Sequence, residues 1–276
     1  MHRKLFAGVG IVTCLCASGA ALAAEPVQLD DQELDRIAAG LAVGAISINL
    51  GQDGNFGIGN TGSNNVGIFN TGNGNRGAFN QGDGNEGVFN GVGSNDPTSG
   101  NDNRGAFNGI VNTGPGAGNN NEGVLNGSFN TTTTDRTGED NRGIFNGNFN
   151  EGNFTGNVNQ GAFNGNFNKG DGAGAVIQGV FSGNFNTANS AALGGRGSFS
   201  GNLNSGVGAG QDFNGNFSGN GNSNTNAGCC NDGDFTGNFN SGLFSGQANE
   251  GKFSANFNTT DNAAQNLIGN FIGNFN

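Results

Sequence analysis

From Asn55 to Asn90 an asparagine occupies every fifth position, and the phenylalanines at 163, 181, 199, 217, 235, 253 and 271 stand eighteen residues apart. Fixed periods of this length describe stacked copies of one unit, each too small to bury an apolar face alone, so the fold is made by stacking. Phe69, Phe79 and Phe89 add a ten-residue step within the first tract. Glycine at 57 of 276 residues and an apolar content of 33% would otherwise suit a disordered chain, which buries too little surface to offset its ordering entropy. A random coil has no reason to hold Phe at a constant interval; a stacked sheet does. Order gained only on assembly is the competing reading.

The first residues have the pattern of an export signal over 1–23. His2, Arg3 and Lys4 are basic, Leu5 to Cys16 are largely apolar, and Ala21-Leu22-Ala23 forms a small-residue cleavage site. The expected product is secreted, at the cell surface or in the medium. Acylation at Cys14 fits less well, because Thr13 stands where a tiny residue is usual. No later stretch approaches twenty apolar residues, so the mature form is expected to lack a membrane span. Loss of the signal removes Met1, His2, Cys14 and Cys16, and the chain contains no Trp or Tyr. Acid/base chemistry would then fall to carboxylates or lysines, and histidine-containing metal sites are excluded. The expectation is a non-enzyme without cofactor or metal. The formal net charge of −11 grows more negative without Arg3 and Lys4, which disfavours a nucleic-acid partner.

Residues 24–41 read as a short helix. Asp30 and Glu33 have capping-box spacing, Leu34 and Ile37 share a face, and Gly40 suits a left-handed stop. The segment resembles the leader motif Leu-x-x-x-Glu-Leu-x-x-Ile-x-x-Gly of small exported bacterial peptides, which would make it a tag for an export machine. The simpler reading is a cap on the stack. Ala42 to Leu50, with Ile46, Ile48 and Leu50 alternating, reads as the first strand of a repeat region covering 42–276.

Within Asn159–Asn168, a strand would put Gly161, Phe163 and Phe167 on one side and Ala162, Asn164 and Asn166 on the other. The Phe side is expected to be the dry interior, with Phe145, Phe163, Phe181, Phe199, Phe217, Phe235, Phe253 and Phe271 as its core. A second, less regular strand is marked by Val176-Ile177, Leu193, Phe213, Cys229-Cys230 and Leu267. The fold class is therefore all-β, a β-solenoid of about twelve strand-turn-strand rungs of 18–20 residues. Asn166, Asn184, Asn202 and Asn238 are expected to form an outward amide ladder. Glu86, Arg104, Glu122 and Arg142 would form a ladder of alternating charge on successive rungs, whereas a ten-residue rung would interpose Arg76 and spoil it.

Asn80-Gln-Gly-Asp-Gly-Asn-Glu-Gly-Val-Phe-Asn90 is similar to the curlin repeat of secreted bacterial amyloid fibres, and residues 55–90 resemble the Asn-x-Gly-x-x tracts of mycobacterial PPE surface proteins. The curlin resemblance implies a fibre subunit that self-associates for adhesion or biofilm matrix, with an export or nucleation protein as partner. The alternative is a monomeric solenoid presenting a flat repetitive face to carbohydrate, ice or another surface. Cys229-Cys230 reads mainly as one thiol buried as a small hydrophobe, since neighbours on a strand point apart; cross-linking between copies is the next reading and metal or redox chemistry the last. Asp83, Asp96, Asp102, Glu139, Asp140 and Asp171 read as solvated bends, and Thr131 to Thr134 as a loop.

Overall fold

A computed structural model describes residues 41–43, 46–133 and 136–275. The export signal and the helix expected before residue 41 lie outside them. No α-helix occurs among the described residues, and all named strands belong to one sheet whose order follows the chain.

The segment expected as a first strand is a hairpin. β1 (Leu41–Val43) runs antiparallel to β2 (Ile46–Leu50), which runs antiparallel to β3 (Phe56–Ile58). From β3 onward every pairing is parallel, as a solenoid requires.

The register shows two coil lengths. Phe56 pairs with Val66, Val66 with Arg76, and Arg76 with Glu86, each a step of ten. Glu86 then pairs with Arg104 and Arg104 with Glu122, eighteen apart, and Glu122 with Arg142, twenty apart. The eighteen-residue step continues through Gln160, Gln178 and Arg196. A uniform unit of eighteen to twenty residues, and the count of twelve built on it, is thereby corrected. Phe69 to Phe89 spans two coils, because Phe79 stacks between them.

Each coil is a flattened ring with a second ladder on its opposite edge, through Thr61, Thr71 and Gln81 in the short coils and Thr113, Thr131, Glu151 and Lys169 in the long ones. A long coil is two similar halves, Arg142-Gly-Ile-Phe-Asn-Gly-Asn-Phe-Asn150 and Glu151-Gly-Asn-Phe-Thr-Gly-Asn-Val-Asn159. Each half is the short five-residue half, as in Arg76-Gly-Ala-Phe-Asn80, extended by a Gly-Asn-Phe-Asn or similar tetrapeptide. Most edge residues, Thr131 excepted, are followed by a glycine that stacking forces: a Cβ on Gly143, at φ 127°, would run into the carbonyl oxygen of Gly161 on the next coil.

The interior is amide, not aromatic. Asn65, Asn70, Asn75, Asn85, Asn103 and Asn108 are fully buried. In one column the Asn146 backbone N–H donates to Asn126 Oδ1, while Asn146 Nδ2 donates to the Arg142 and Gly161 carbonyls at 3.1 and 2.8 Å. In this column each buried side chain thus serves its own coil and the next, the condition for burying a polar group without a large desolvation penalty, whereas Nδ2 of Asn103, Asn121 and Asn141 in a neighbouring column has no hydrogen-bond partner. Along this column asparagine gives way to Ser182, Ser200 and Ser218, whose hydroxyls accept and donate in the same places. A small apolar cluster of Ile177, Ala192 and Phe213 replaces the amides where a neighbouring column lapses.

The expected aromatic core is corrected by these facts. Phe163, Phe181, Phe199, Phe217, Phe235, Phe253 and Phe271 are exposed, Phe145 is half-buried, and Phe213 is the buried ring. The strand reading failed at one backbone angle: Phe163 sits at φ 58°, a left-handed corner that interrupts the alternation of faces.

Candidate functional site

Each half of a long coil has left-handed corners at its fourth and eighth residues, such as Phe145 and Phe149. Among the described residues, every phenylalanine except Phe56 and Phe213 has positive φ. This backbone costs a bulky residue about 1–2 kcal/mol, and glycine or asparagine adopts it more readily. Phenylalanine therefore has to bring something else to these corners.

It brings ring stacking and cover. Phe199, Phe217, Phe235, Phe253 and Phe271 form one column with neighbouring centroids 5.2, 4.8, 4.6 and 5.0 Å apart and planes within 5°. Phe129, Phe149, Phe167 and Phe185 form a second, with spacings of 4.8, 4.9 and 5.0 Å. Pairs of this kind contribute about 0.5–1.5 kcal/mol beyond burial. Across the two columns, Phe145 lies 6.3 Å from Phe149.

Between the columns runs the amide ladder expected from the sequence. The backbone N–H of Asn166 donates to Asn184 Oδ1, that of Asn184 to Asn202, that of Asn202 to Asn220 and that of Asn220 to Asn238, at 2.8–2.9 Å. Asn166, Asn184, Asn202 and Asn238 are thus in one column, with Asn220 completing it. They are buried, not solvent-facing, at 2, 2, 9 and 6% exposure. The rings on either side keep water off the ladder. Cover is thinnest at Gly221, where the second column lacks a side chain and Asn220 is only half-buried. A groove of about 460 Å³ opens there, lined by Phe199, Leu203, Phe217, Phe235, Phe239 and Asn220 among others.

The outer halves of these rings form a continuous apolar face. Phe163, Phe167, Phe181, Phe185 and Phe199 are 40–44% exposed. The corresponding corners in the other half of the coils hold Gly172, Ser190, Gly208 and Asn226, with Gly194, Asp212 and Cys230 at the second corner. One side of the rod is thus predominantly aromatic and the other mostly small or polar, with Phe154, Val158, Val176 and Phe244 as exposed apolar exceptions at the same corners, although both halves share one backbone.

The charge ladder stands on the edge of the sheet. Glu86, Arg104, Glu122 and Arg142 are in register, with Arg104 Nε 3.3 Å from Glu86 and Arg142 Nη2 2.8 Å from Glu122. Arg76 joins this column, because it pairs with Glu86 in the ten-residue coils. Its expected exclusion is corrected. The opposite edge carries Lys169 at 3.3 Å from Glu151, a pair the sequence reading missed because it followed only one edge per coil.

Among the acids read as solvated bends, Asp83 accepts from the Asn73 backbone at 2.7 Å and Asp171 from Asn153 at 2.9 Å, so both are built into the corners. Glu139 is buried and lies 3.6 Å from Arg136. Asp96 is held below its ordinary range by hydrogen bonds from the Thr98 side chain and backbone. Cys229 is buried, as expected of one of the pair, and Cys230 is exposed, but their sulfurs face each other.

Residues 54–94 match the family described as Pentapeptide repeats, in eight copies. No curated protein and no solved structure matches the chain. With the parallel coils, these copies make the chain a repeat protein.

Proposed function

We propose that the chain is a non-catalytic structural rod, exported from the cell, that assembles side by side with further copies through its aromatic face into extracellular fibres for adhesion or matrix. The observation that carries this reading is the strong bias of phenylalanine toward one of two structurally equivalent half-coils, with Phe154 and Phe244 as the exceptions. With 150–250 Å² per ring and nearly half of each exposed, the face presents on the order of 1,500 Å² of apolar surface. Monomers rarely expose more than about 300–600 Å² in one patch, and a stable interface needs about 800 Å² per partner. The negative charge and the edge ladders would keep the other sides soluble.

Lateral packing is favoured over a carbohydrate platform by the ring orientation. The rings face one another along the rod, so their edges point outward, whereas sugar stacking needs an exposed ring face. Edges and grooves suit interdigitation with another aromatic face. The proposed contact is therefore on the side of the rod.

The test replaces Phe163, Phe181 and Phe199 together by Asn, which tolerates left-handed corners. Wild-type mature protein is expected to form concentration-dependent assemblies in sedimentation velocity, and the triple variant to stay monomeric with the same far-ultraviolet circular dichroism. A wild type that remains monomeric at high concentration, or a variant that assembles equally well, overturns the proposal.

A further inference from the structure

Cys229 and Cys230 are neighbours in sequence, which on an extended strand would point them apart. Here Cys230 occupies a left-handed corner at φ 61°, and the two Sγ atoms lie 2.9 Å from each other. The backbone between them is fixed on both sides: Cys230 N–H donates to the Gln211 carbonyl at 2.8 Å, and the Cys229 carbonyl accepts from Ala248 at 3.1 Å. Coil register places Asp212 on one side of Cys230 and Ala248 on the other, so no thiol of an adjacent coil competes. Cys230 faces solvent while Cys229 stands behind it at 5% exposure.

The geometry points to a vicinal dithiol site that reacts covalently with small disulfides: Cys230 is the attacking thiol and Cys229 the resolving one. In the first step the Cys230 thiolate attacks one sulfur of the small disulfide. A bond forms to Cys230 Sγ, the small S–S bond breaks, and one small thiolate leaves. In the second step Cys229 gives up its proton to solvent and attacks Cys230 Sγ. The Cys229–Cys230 bond forms and the second small thiolate leaves. The dithiol loses two electrons and two protons, and the small disulfide gains the two electrons.

The electrostatics divide the roles in the same direction. The Cys230 contact, with burial, raises the Cys229 thiol far above its ordinary value, while the Cys229 contact lowers Cys230. Asp212 opposes thiolate formation on both, so a neutral disulfide is the suitable substrate.

The experiment treats reduced mature protein with 2-hydroxyethyl disulfide and follows intact mass. Wild type is expected to become lighter by two hydrogens and to retain no hydroxyethylthio group. Cys229→Ser should accumulate one stable hydroxyethylthio adduct, and Cys230→Ser should react about tenfold more slowly. Circular dichroism confirms that both variants keep the fold. A wild-type adduct as long-lived as that of Cys229→Ser, a disulfide between copies on a non-reducing gel, or faster reaction of Cys230→Ser than of Cys229→Ser overturns the assignment.

Discussion

The backbone N–H of Asn148 donates to the side-chain oxygen of Asn166 one coil further on, at 2.8 Å, with Phe145 and Phe149 flanking the Asn148 side chain. A side-chain amide thus extends the inter-coil ladder, and the aromatic corners shield it. Stability and the exposed apolar face arise from one arrangement.

Replacing Asn166 by Ala leaves the buried Asn148 N–H without its acceptor, at a cost of about 1–3 kcal/mol. Asn166→Asp keeps an acceptor but loses the Nδ2 donation to Asn184 Oδ1 at 3.2 Å and buries a charge beside that oxygen. Thermal unfolding followed by circular dichroism should rank wild type above Ala and Ala above Asp. Equal midpoints would mean that the ladder contributes nothing.

Serine is the substitution the chain itself uses in the neighbouring column. Asn164 Oδ1 accepts from Ser182 N–H at 2.9 Å and its Nδ2 donates to the Gly179 carbonyl at 2.7 Å; Ser182 repeats both bonds one coil later with its hydroxyl. Asn164→Ser is therefore expected to change stability by under about 1 kcal/mol, and Asn164→Ala by two to three times as much. A serine variant as unstable as the alanine variant would contradict this equivalence.

The solenoid and its alternating charges were legible because both are periodic: Glu86, Arg104, Glu122 and Arg142 needed only the correct step to be aligned. What faces inward was not legible from hydrophobicity, since Phe163 and Phe167 are the bulkiest apolar residues of their half-coil and point out. A usable signal existed in residues 55–90. Asparagine holds every fifth position there without exception, while the residue before it changes among Gly59, Asn64, Phe69, Gly74 and Phe79. The constant residue is the interior one, and a corner that admits Gly, Asn or Phe is a left-handed corner. The vicinal thiol contact was hidden for the same reason, because strand alternation was assumed across Cys230.

Glycines divide into those that stacking requires and those that corners merely favour. A Cβ on Gly161, at φ 122°, would meet the Gly179 carbonyl oxygen, whereas one on Gly74, at φ 69°, meets nothing within 4 Å. Gly74→Ala should cost only about 1–2 kcal/mol of left-handed strain. Gly161→Ala should separate two coils and open the chain to protease near that point. Limited proteolysis with mapping of the first cuts distinguishes them, and similar resistance in both variants would contradict the close-stacking account.

Glu122 lies in register between Arg104 and Arg142. Glu122→Lys would place three like charges on successive coils, each exposed pair changing by about 0.2–1 kcal/mol. The expected result is a lower melting temperature in dilute buffer that recovers toward wild type at about 1 M salt, where screening shortens to about 3 Å. A deficit that salt leaves untouched would indicate lost packing instead of charge.

Gly221 is the gap in the second aromatic column, between Leu203 and Phe239, and its φ of 66° matches the corners that carry Phe elsewhere. A Cβ there would approach the Phe239 ring at 2.7 Å, so that ring must move toward the stacked position that Phe257 and Phe275 share at 5.1 Å. In Gly221→Phe the left-handed strain of about 1–2 kcal/mol opposes a stacking gain of about 0.5–1.5 kcal/mol per neighbour and better cover for Asn220. Net stability should therefore stay within about 1 kcal/mol of wild type, while the added ring fills the groove. Binding of an apolar fluorescent dye to the monomer should fall in this variant and not in Gly172→Asn, which alters the polar side of the rod. Unchanged dye binding would place the accessible apolar site elsewhere on the molecule, and a large loss of stability would show that the gap at Gly221 is needed to relieve crowding among the rings.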